Sequence, residues 1–254
     1  MPVVSGDADI SIPAALLSDP RRARILFALA DGRALPASAL ASEAGVAAST
    51  ASEHLSKLSQ AGMLHVERQG RHRYYRIASP RVVAALEALA QIAPPIPVRS
   101  LRQGNRAHAL RQGRLCYDHL AGRLGVSLMR ALIDRGALAG GDGVHQPDSA
   151  TTDRLSAAGH DIDYRLTDHG ATLLGDLGID LDALFARRRP PIRYCLDWTE
   201  QRHHLAGGLG AALADQLFAL DWLRRAPRRR AVQLTDTGRT SLRTALGLQL
   251  NTSR

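Results

Sequence analysis

A mainly α protein with small β wings is the fold class this sequence predicts, on three observations. Residues 41–64, ASEAGVAASTASEHLSKLSQAGML, read as a helix, a turn at Gly45 and a second helix rich in small hydroxyl side chains. A basic hairpin follows at once over 65–77, around Gln69-Gly70. The second half of the chain repeats itself, with helical periodicity throughout. Together these predict an N-terminal winged helix-turn-helix and a C-terminal duplicated helical region of degenerate winged-helix-like units.

The N-terminal elements follow in order. Residues 12–17 form a short amphipathic segment. Asp19 caps the next helix, Pro20 takes its first position, and Ile25, Leu26 and Leu29 make its buried stripe before Gly32 ends it. Residues 36–44 and 48–61 are the two helices of the motif, with Leu55, Leu58 and Met63 facing inward. Residues 80–92 carry Val82, Val83, Leu86 and Leu89 at helical spacing, and Ala93-Pro94-Pro95-Ile96-Pro97 then breaks the chain. The first domain is therefore expected to span 1–93, with a linker over 94–107.

In the remainder, one copy reads Cys116-Tyr117-Asp118-His119-Leu120-Ala121-Gly122-Arg123-Leu124-Gly125. The other reads Cys195-Leu196-Asp197, a six-residue insertion (198–203), then His204-Leu205-Ala206-Gly207-Gly208-Leu209-Gly210. Each runs into a leucine-rich helix, 128–138 and 213–223. Each then reaches a second shared phrase, Tyr164-Arg165-Leu166-Thr167-Asp168-His169-Gly170 and Val232-Gln233-Leu234-Thr235-Asp236-Thr237-Gly238, and each is preceded by Pro-Pro-Ile. Matched phrases in one order mean a structural unit used twice, 108–186 and 187–254, each ending in a short strand and a helix capped by Thr-Asp. The polar, glycine-rich stretch 140–159 is expected to be a loop.

Composition narrows the class. The net charge of +9 is carried almost wholly by arginine, Lys57 being the sole lysine, and a basic surplus favours polyanionic partners. No run of 18 apolar residues exists, so no membrane span is expected. The start, MPVVSGDADI, lacks the basic and apolar regions of a secretory signal. Two cysteines without an export signal suggest a reduced, cytoplasmic protein.

A helix-turn-helix lays its second helix in the major groove of duplex DNA. Small side chains at the start of that helix permit close approach. Ser49, Thr50, Ser52, Glu53, His54 and Lys57 are the candidates for contact with base edges or phosphates. Arg68, Arg71, His72 and Arg73 lie around the hairpin turn, placed for phosphates or the minor groove. Tyr74 and Tyr75 alternate, so one packs and the other faces out; Tyr75 joins the candidate surface.

Asp19-Pro20-Arg21-Arg22-x-x-Ile25-Leu26 and Ser52-x-His54-Leu55-x-x-Leu58-x-x-Ala61-Gly62-Met63 resemble the ArsR/SmtB-type winged-helix regulators, over residues 10–93. The resemblance implies a homodimer that represses operons and releases its double-stranded DNA operator on binding a metal or another signal. It also implies that the first helix and the 80–92 helix form the dimer interface. The tail resembles the extension of a long subgroup whose signals are diverse. The departures matter equally. The first helix of the motif, Ser38-Ala39-Leu40-Ala41-Ser42-Glu43-Ala44, has no thiol, and the 80–92 helix has no histidine and a single acid, Glu87. Neither metal site usual in that family is present, so any sensing lies elsewhere.

The elsewhere is a cysteine and histidine constellation. Cys116 and His119, three apart, would share a helix face beside Asp118; Cys195, Asp197, His203 and His204 form the related set. Thiolate plus imidazole suits zinc, nickel or copper, and Cys116, His119, Cys195 and His204 would supply the four donors of a closed site. A thiol redox or persulfide switch and purely structural cysteines are the other readings. The insertion leaves the equivalence of His119 and His204 open. Trp198, Trp222, Tyr117, Tyr194 and Phe218 are expected in the core, or else lining an apolar pocket between the repeats.

Catalysis is not expected: no glycine-rich phosphate loop, Gly-x-Ser-x-Gly or His-Glu-x-x-His occurs. The expected function is sequence-specific transcriptional regulation, with a non-specific nucleoid-type DNA binder as the alternative. The arginine runs at 187–189 and 224–230 would suit that alternative, or serve as solvated linkers.

Overall fold

The computed structural model describes residues 8–70, 72–94, 96–145, 162–226, 230–248 and 250. Arg71, His160, residues 146–159 of the expected loop and residues 227–229 of the second arginine run lie outside the described residues. The chain divides into two compact units, Met1–Val82 and Val83–Arg254.

In the first unit, α1 (Ser11–Leu17) precedes α2 (Pro20–Ala28), whose Asp19 cap accepts from the Arg21 and Arg22 amides at 2.7 and 3.2 Å with Pro20 in the first turn. Strand β1 (Leu35–Pro36) leads into α3 (Ala37–Ala44), which Gly45 closes at φ 70°. The Val46 amide donates back to the Ala41 carbonyl at 3.1 Å, the αL turn that sends the chain into α4 (Ala48–Gln60). Strands β2 (Leu64–Gln69) and β3 (His72–Ile77) form the hairpin, and β1 pairs with β3, giving an antiparallel sheet ordered β1-β3-β2. Ile25, Leu26, Leu29, Leu40, Leu55 and Leu58 are fully buried. This is the winged helix-turn-helix.

Helix α5 (Pro80–Ile92) follows, and the division between the units falls within it rather than at the Pro94 break. The reason is Glu87, a buried carboxylate that accepts from Arg230 Nη1 at 2.8 Å and lies 3.6 Å from Arg114 Nη2. The expected linker is also shorter than 94–107. Ser100 accepts from the Gln103 amide at 3.2 Å and caps α6 (Leu101–Gln112).

The duplication is explicit in the second unit. The first repeat runs β4 (Arg114–Cys116), β5 (His119–Ala121), α7 (Gly122–Asp134), β6 (Leu138–Ala139), β7 (Arg165–Leu166), α8 (Asp168–Asp176), with α9 (Leu181–Phe185) after it. The second runs β8 (Arg193–Leu196), β9 (His203–Ala206), α10 (Gly207–Ala219), β10 (Leu223–Arg225), β11 (Val232–Leu234), α11 (Asp236–Leu246). Each is an antiparallel hairpin, a 13-residue helix, a second antiparallel pair and a capped helix. The caps match in detail. Thr167 Oγ1 accepts from the Gly170 amide at 3.0 Å and donates to the Gly136 carbonyl. Thr235 Oγ1 accepts from the Gly238 amide at 2.9 Å and donates to the Asp221 carbonyl.

The repeats interlock. Helix α7 packs on β9 of the other repeat and α10 on β5. Glycines seat each helix on its own hairpin, since a Cβ on Gly125 would lie 2.3 Å from the Leu120 carbonyl oxygen, and 3.6 Å from the His204 Cβ of the other repeat. At Gly210 it would lie 2.6 Å from the Leu205 carbonyl oxygen and 3.2 Å from the His119 Cβ. One continuous core results, including Leu124, Leu128, Met129, Leu132, Tyr194, Leu209, Leu213 and Leu217. Among the described residues, no helix is long and apolar enough to cross a membrane.

Candidate functional site

Two sites emerge, one in each unit. The first is the outer face of α4. Its inner stripe, Ala51, Leu55 and Leu58, is fully buried, which turns Ser49, Ser52, Glu53 and Lys57 outward; all four are exposed, and Thr50 is half-buried. Ser52 Oγ donates to the Ala48 carbonyl at 2.9 Å, so only its lone pairs remain for an external donor. On the hairpin, Arg68 pairs in register with Arg73 and Gln69 with His72 across Gly70. Arg68, His72 and Arg73 are exposed.

Two expected members of that face belong to the core instead. His54 is 7% exposed, with no hydrogen-bond partner at either ring nitrogen. It lies three residues after Ala51 and four before Leu58, and that spacing puts it on the inner stripe. Tyr75, also 7% exposed, sits on the central strand opposite Leu35 and Val66, on the side that buries Ile77. Of the tyrosine pair, Tyr75 is the one that packs. Arg71 lies outside the described residues.

The second site is where the two hairpins of the duplicated unit meet. Cys116 pairs in register with His119 across the tight Tyr117-Asp118 turn, and Cys195 with His204 across the longer turn that carries the insertion. The two histidines are therefore equivalent. Each cysteine and histidine face one another across two strands, and the shared helix face expected from their spacing does not exist. The rings of His119 and His204 stack with centroids 5.2 Å apart. One donor atom from each of Cys116, His119, Cys195 and His204 lies within 4.8 Å of all the others. Three of these residues are buried and Cys195 is half-buried.

The remaining expected members surround this quartet without joining it. Asp118 meets His119 Nδ1 at 3.2 Å and accepts from Arg189, through Nη2 at 3.1 Å and through Nη1. Burial would raise its pKa, but the His119 ring and the Arg189 guanidinium hold it down at about 2. Asp197, fully buried, accepts from the Gly122 amide at 2.6 Å at the start of α7, from Arg114 Nη2 at 3.0 Å, and from Thr199 and Glu200 within its own turn. Against its burial, Arg114, His204 and these donors keep it well below the usual carboxylate range. Its Oδ2 is 3.7 Å from His204 Nδ1. His203 belongs to another cluster: its Nδ1 is 2.9 Å from the Tyr164 hydroxyl, and its ring lies 4.2 Å from that of Tyr194.

Burial and neighbouring groups pull the quartet in different directions: against its burial, Cys116 and Asp118 raise His119 to about 9. Burial pushes His204 down to about 3, leaving a neutral imidazole with a lone pair to give. The hydrogen bond to Cys195, burial and the charge of Glu87 together push the Cys116 thiol well above its ordinary range. His119 Nε2 and both His204 ring nitrogens have no hydrogen-bond partner. Arg114, Glu87 and Arg230 are missing from any reading of the sequence as a site. Their one signal was Glu87, the lone acid in an otherwise apolar helix. The arginine runs divide in the same way: Arg187 and Arg188 are exposed, whereas Arg189 binds Asp118 and Arg230 is buried on Glu87. Tyr194 is core and Trp222 and Phe218 pack against it, while Trp198 lies under the Arg114 guanidinium at 4.7 Å.

Known proteins resemble the helix-turn-helix and, in one relative, nearly the whole chain. A helix-turn-helix domain family matches residues 17–67. The HTH-type transcriptional regulator YdfF of Bacillus subtilis strain 168 is 37% identical over 235 residues, covering 92% of this chain and 96% of that protein. The HTH-type transcriptional regulator CmtR of Mycobacterium bovis is 40% identical over 76 residues, 30% of this chain and 64% of that protein. Among solved structures, the homodimeric winged helix-turn-helix domain of Mb0332 from Mycobacterium bovis, described as a possible ArsR-family regulator, is 31% identical. It covers 35% of this chain and 88% of that one at a TM-score of 0.30. These relatives carry the names of regulators, not of enzymes. With the near full-length match to YdfF and the helix-turn-helix on the page, the chain belongs to the ArsR/SmtB-type winged helix-turn-helix transcriptional regulators.

Proposed function

We propose that this regulator is a homodimeric, sequence-specific repressor whose grip on its operator responds to a signal sensed in the Val83–Arg254 unit. The observation that carries the DNA reading is the two-sided character of α4. One side is sealed into the core by Ala51, Leu55 and Leu58, while Ser49, Ser52, Glu53 and Lys57 stand in solvent beside a hairpin with exposed arginines. Such a helix is free to enter a major groove, and the arginines suit the flanking phosphates.

Dimerisation is supported by apolar side chains left in solvent on the two helices the family resemblance implicates. Ile12 on α1 is 60% exposed, and Leu89 and Ile92 on α5 are 44% and 76% exposed. A second copy covering them would place two α4 helices in successive major grooves of a near-palindromic site. The buried cysteine–histidine quartet supports a sensory role for the second unit. A signal there acts by favouring one dimer geometry, and shifts DNA affinity only by its differential affinity for the two. A DNA-binding regulator of this kind works in the cytoplasm.

Competition binding against random duplex at physiological salt tests the reading. A specific regulator retains a preference of about a thousandfold or more for its operator. Equal affinity for both would make it a non-specific, nucleoid-type binder.

A further inference from the structure

We propose that Cys116, His119, Cys195 and His204 form a closed, tetrahedral site for a zinc-class divalent cation, two donors from each repeat. Its use as the regulatory signal rests on the function proposed above; the site itself does not.

The donors fit. Bonds of about 2.3 Å to sulfur and 2.0–2.1 Å to nitrogen put tetrahedral donors about 3.3–3.8 Å apart. The quartet already lies within 4.8 Å, so closure needs a contraction of about 1 Å, within reach of small side-chain rotations. Two thiolates and two imidazoles are a donor set that zinc takes in closed sites, with no open position for a substrate. Coordination sends the two thiol protons to solvent, so the cation's charge is balanced by two thiolates inside the core.

The surroundings point the same way. A metal-bound histidine holds its second nitrogen on a carboxylate, which fixes the tautomer and turns the other nitrogen to the metal. His119 Nδ1 is held on Asp118 at 3.2 Å, and His204 Nδ1 faces Asp197 at 3.7 Å, beyond a hydrogen bond and within reach of one on a small rotation. The duplicated phrase therefore copies a cysteine, a histidine and the carboxylate behind that histidine. On the inner side, His119 Nε2 and His204 Nε2 are buried with no hydrogen-bond partner. Leaving two such nitrogens unmet is costly, and native cores avoid it.

A disulfide between Cys116 and Cys195 would use the thiols but leave both imidazole nitrogens stranded. Purely structural cysteines, hydrogen-bonded to one another, likewise leave both imidazole nitrogens unmet. Coordination satisfies every one of them. The half-buried Cys195 gives the cation its way in. The site also has a mechanical connection, because Asp197 binds Arg114, Arg114 approaches Glu87, and Glu87 stands on α5.

The test uses the full-length, reduced protein, stripped with a chelator and titrated with Co(II), then Zn(II). Expected are one Co(II) per chain, with the visible bands of a tetrahedral ion and a near-ultraviolet thiolate-to-metal band, displaced by one equivalent of Zn(II). Cys116→Ser or His204→Gln should weaken uptake at least tenfold. Should those variants not fold, the wild type still decides: Zn(II) should slow alkylation of both thiols at least tenfold. Absence of the thiolate band, uptake that survives Cys116→Ser with Cys195→Ser, or a Cys116–Cys195 disulfide that forms equally fast with and without Zn(II) overturns the site. Operator binding by the apo and Zn(II)-loaded protein is measured alongside. Loading without a change in affinity overturns its role as the signal. If neither form prefers an operator, the DNA reading fails and the metal site stands.

Discussion

Arg114 of the first repeat binds Asp197 of the second, Nη2 to Oδ2 at 3.0 Å, and both side chains are fully buried. The pair is embedded in a larger arrangement. Arg114 also reaches Thr199 Oγ1 at 3.3 Å and covers the Trp198 ring, and Asp197 accepts from the first amide of α7. A buried carboxylate that receives this many donors holds the second hairpin to the first repeat's helix, and the dipole of that helix favours the negative charge.

Removing the arginine should therefore be severe. Arg114→Met leaves Asp197 and Glu87 buried with fewer partners, a change that costs about 3–5 kcal/mol. Denaturant unfolding measures it. A loss below about 1 kcal/mol would mean the pair contributes little.

Gly125 and Gly210 are expected to tolerate no side chain. Alanine at either puts a Cβ against a carbonyl oxygen, at 2.3 and 2.6 Å, beside the opposite histidine. Each substitution should cost about 1–3 kcal/mol, and Gly210→Ala should also weaken Co(II) uptake by displacing His119, whose Cβ would lie 3.2 Å from the new methyl. A Gly210→Ala protein as stable as wild type that loads Co(II) equally well would refute the tight interlock of the repeats.

On the DNA side, the exposed hairpin arginines should act without regard to sequence. Arg68→Ala and Arg73→Ala are each expected to weaken binding to all duplexes and to reduce the salt-dependence slope by about 1. Fluorescence anisotropy over a range of salt reads this. An unchanged slope removes the hairpin from the phosphate contacts.

The face of α4 makes a sharper prediction. Ser52 has its proton on the Ala48 carbonyl, so in the proposed complex it would meet a base as an acceptor, from a cytosine or adenine amino group. Ser49→Ala and Ser52→Ala should relax preference at single operator positions by about 1–3 kcal/mol. His54→Leu, inside the core, should change stability and leave preference alone. Selection from randomised duplexes followed by sequencing decides between them.

Much of this is legible in the sequence, and the exceptions have physical causes. Asp19-Pro20 announces a capped helix because a cap and a first-turn proline are local requirements. Gly45 announces the turn because few other residues adopt its φ of 70°. The duplicated phrases predict the paired hairpins, helices and threonine caps. For His54 and Tyr75 polar identity predicts exposure, whereas helical and strand parity put each on the buried side. The Cys116–His119 spacing suits a helix or a two-residue hairpin equally, and only the strand pairing separates the two. The Glu87, Arg114 and Arg230 cluster joins residues far apart in the chain, which no local pattern announces. The division within α5 instead of at Pro94 follows from that cluster.

The pairing of two half-sites within one polypeptide has a practical result. Every donor of the quartet comes from the same molecule, so the site is complete in a single chain and needs no second subunit to close it.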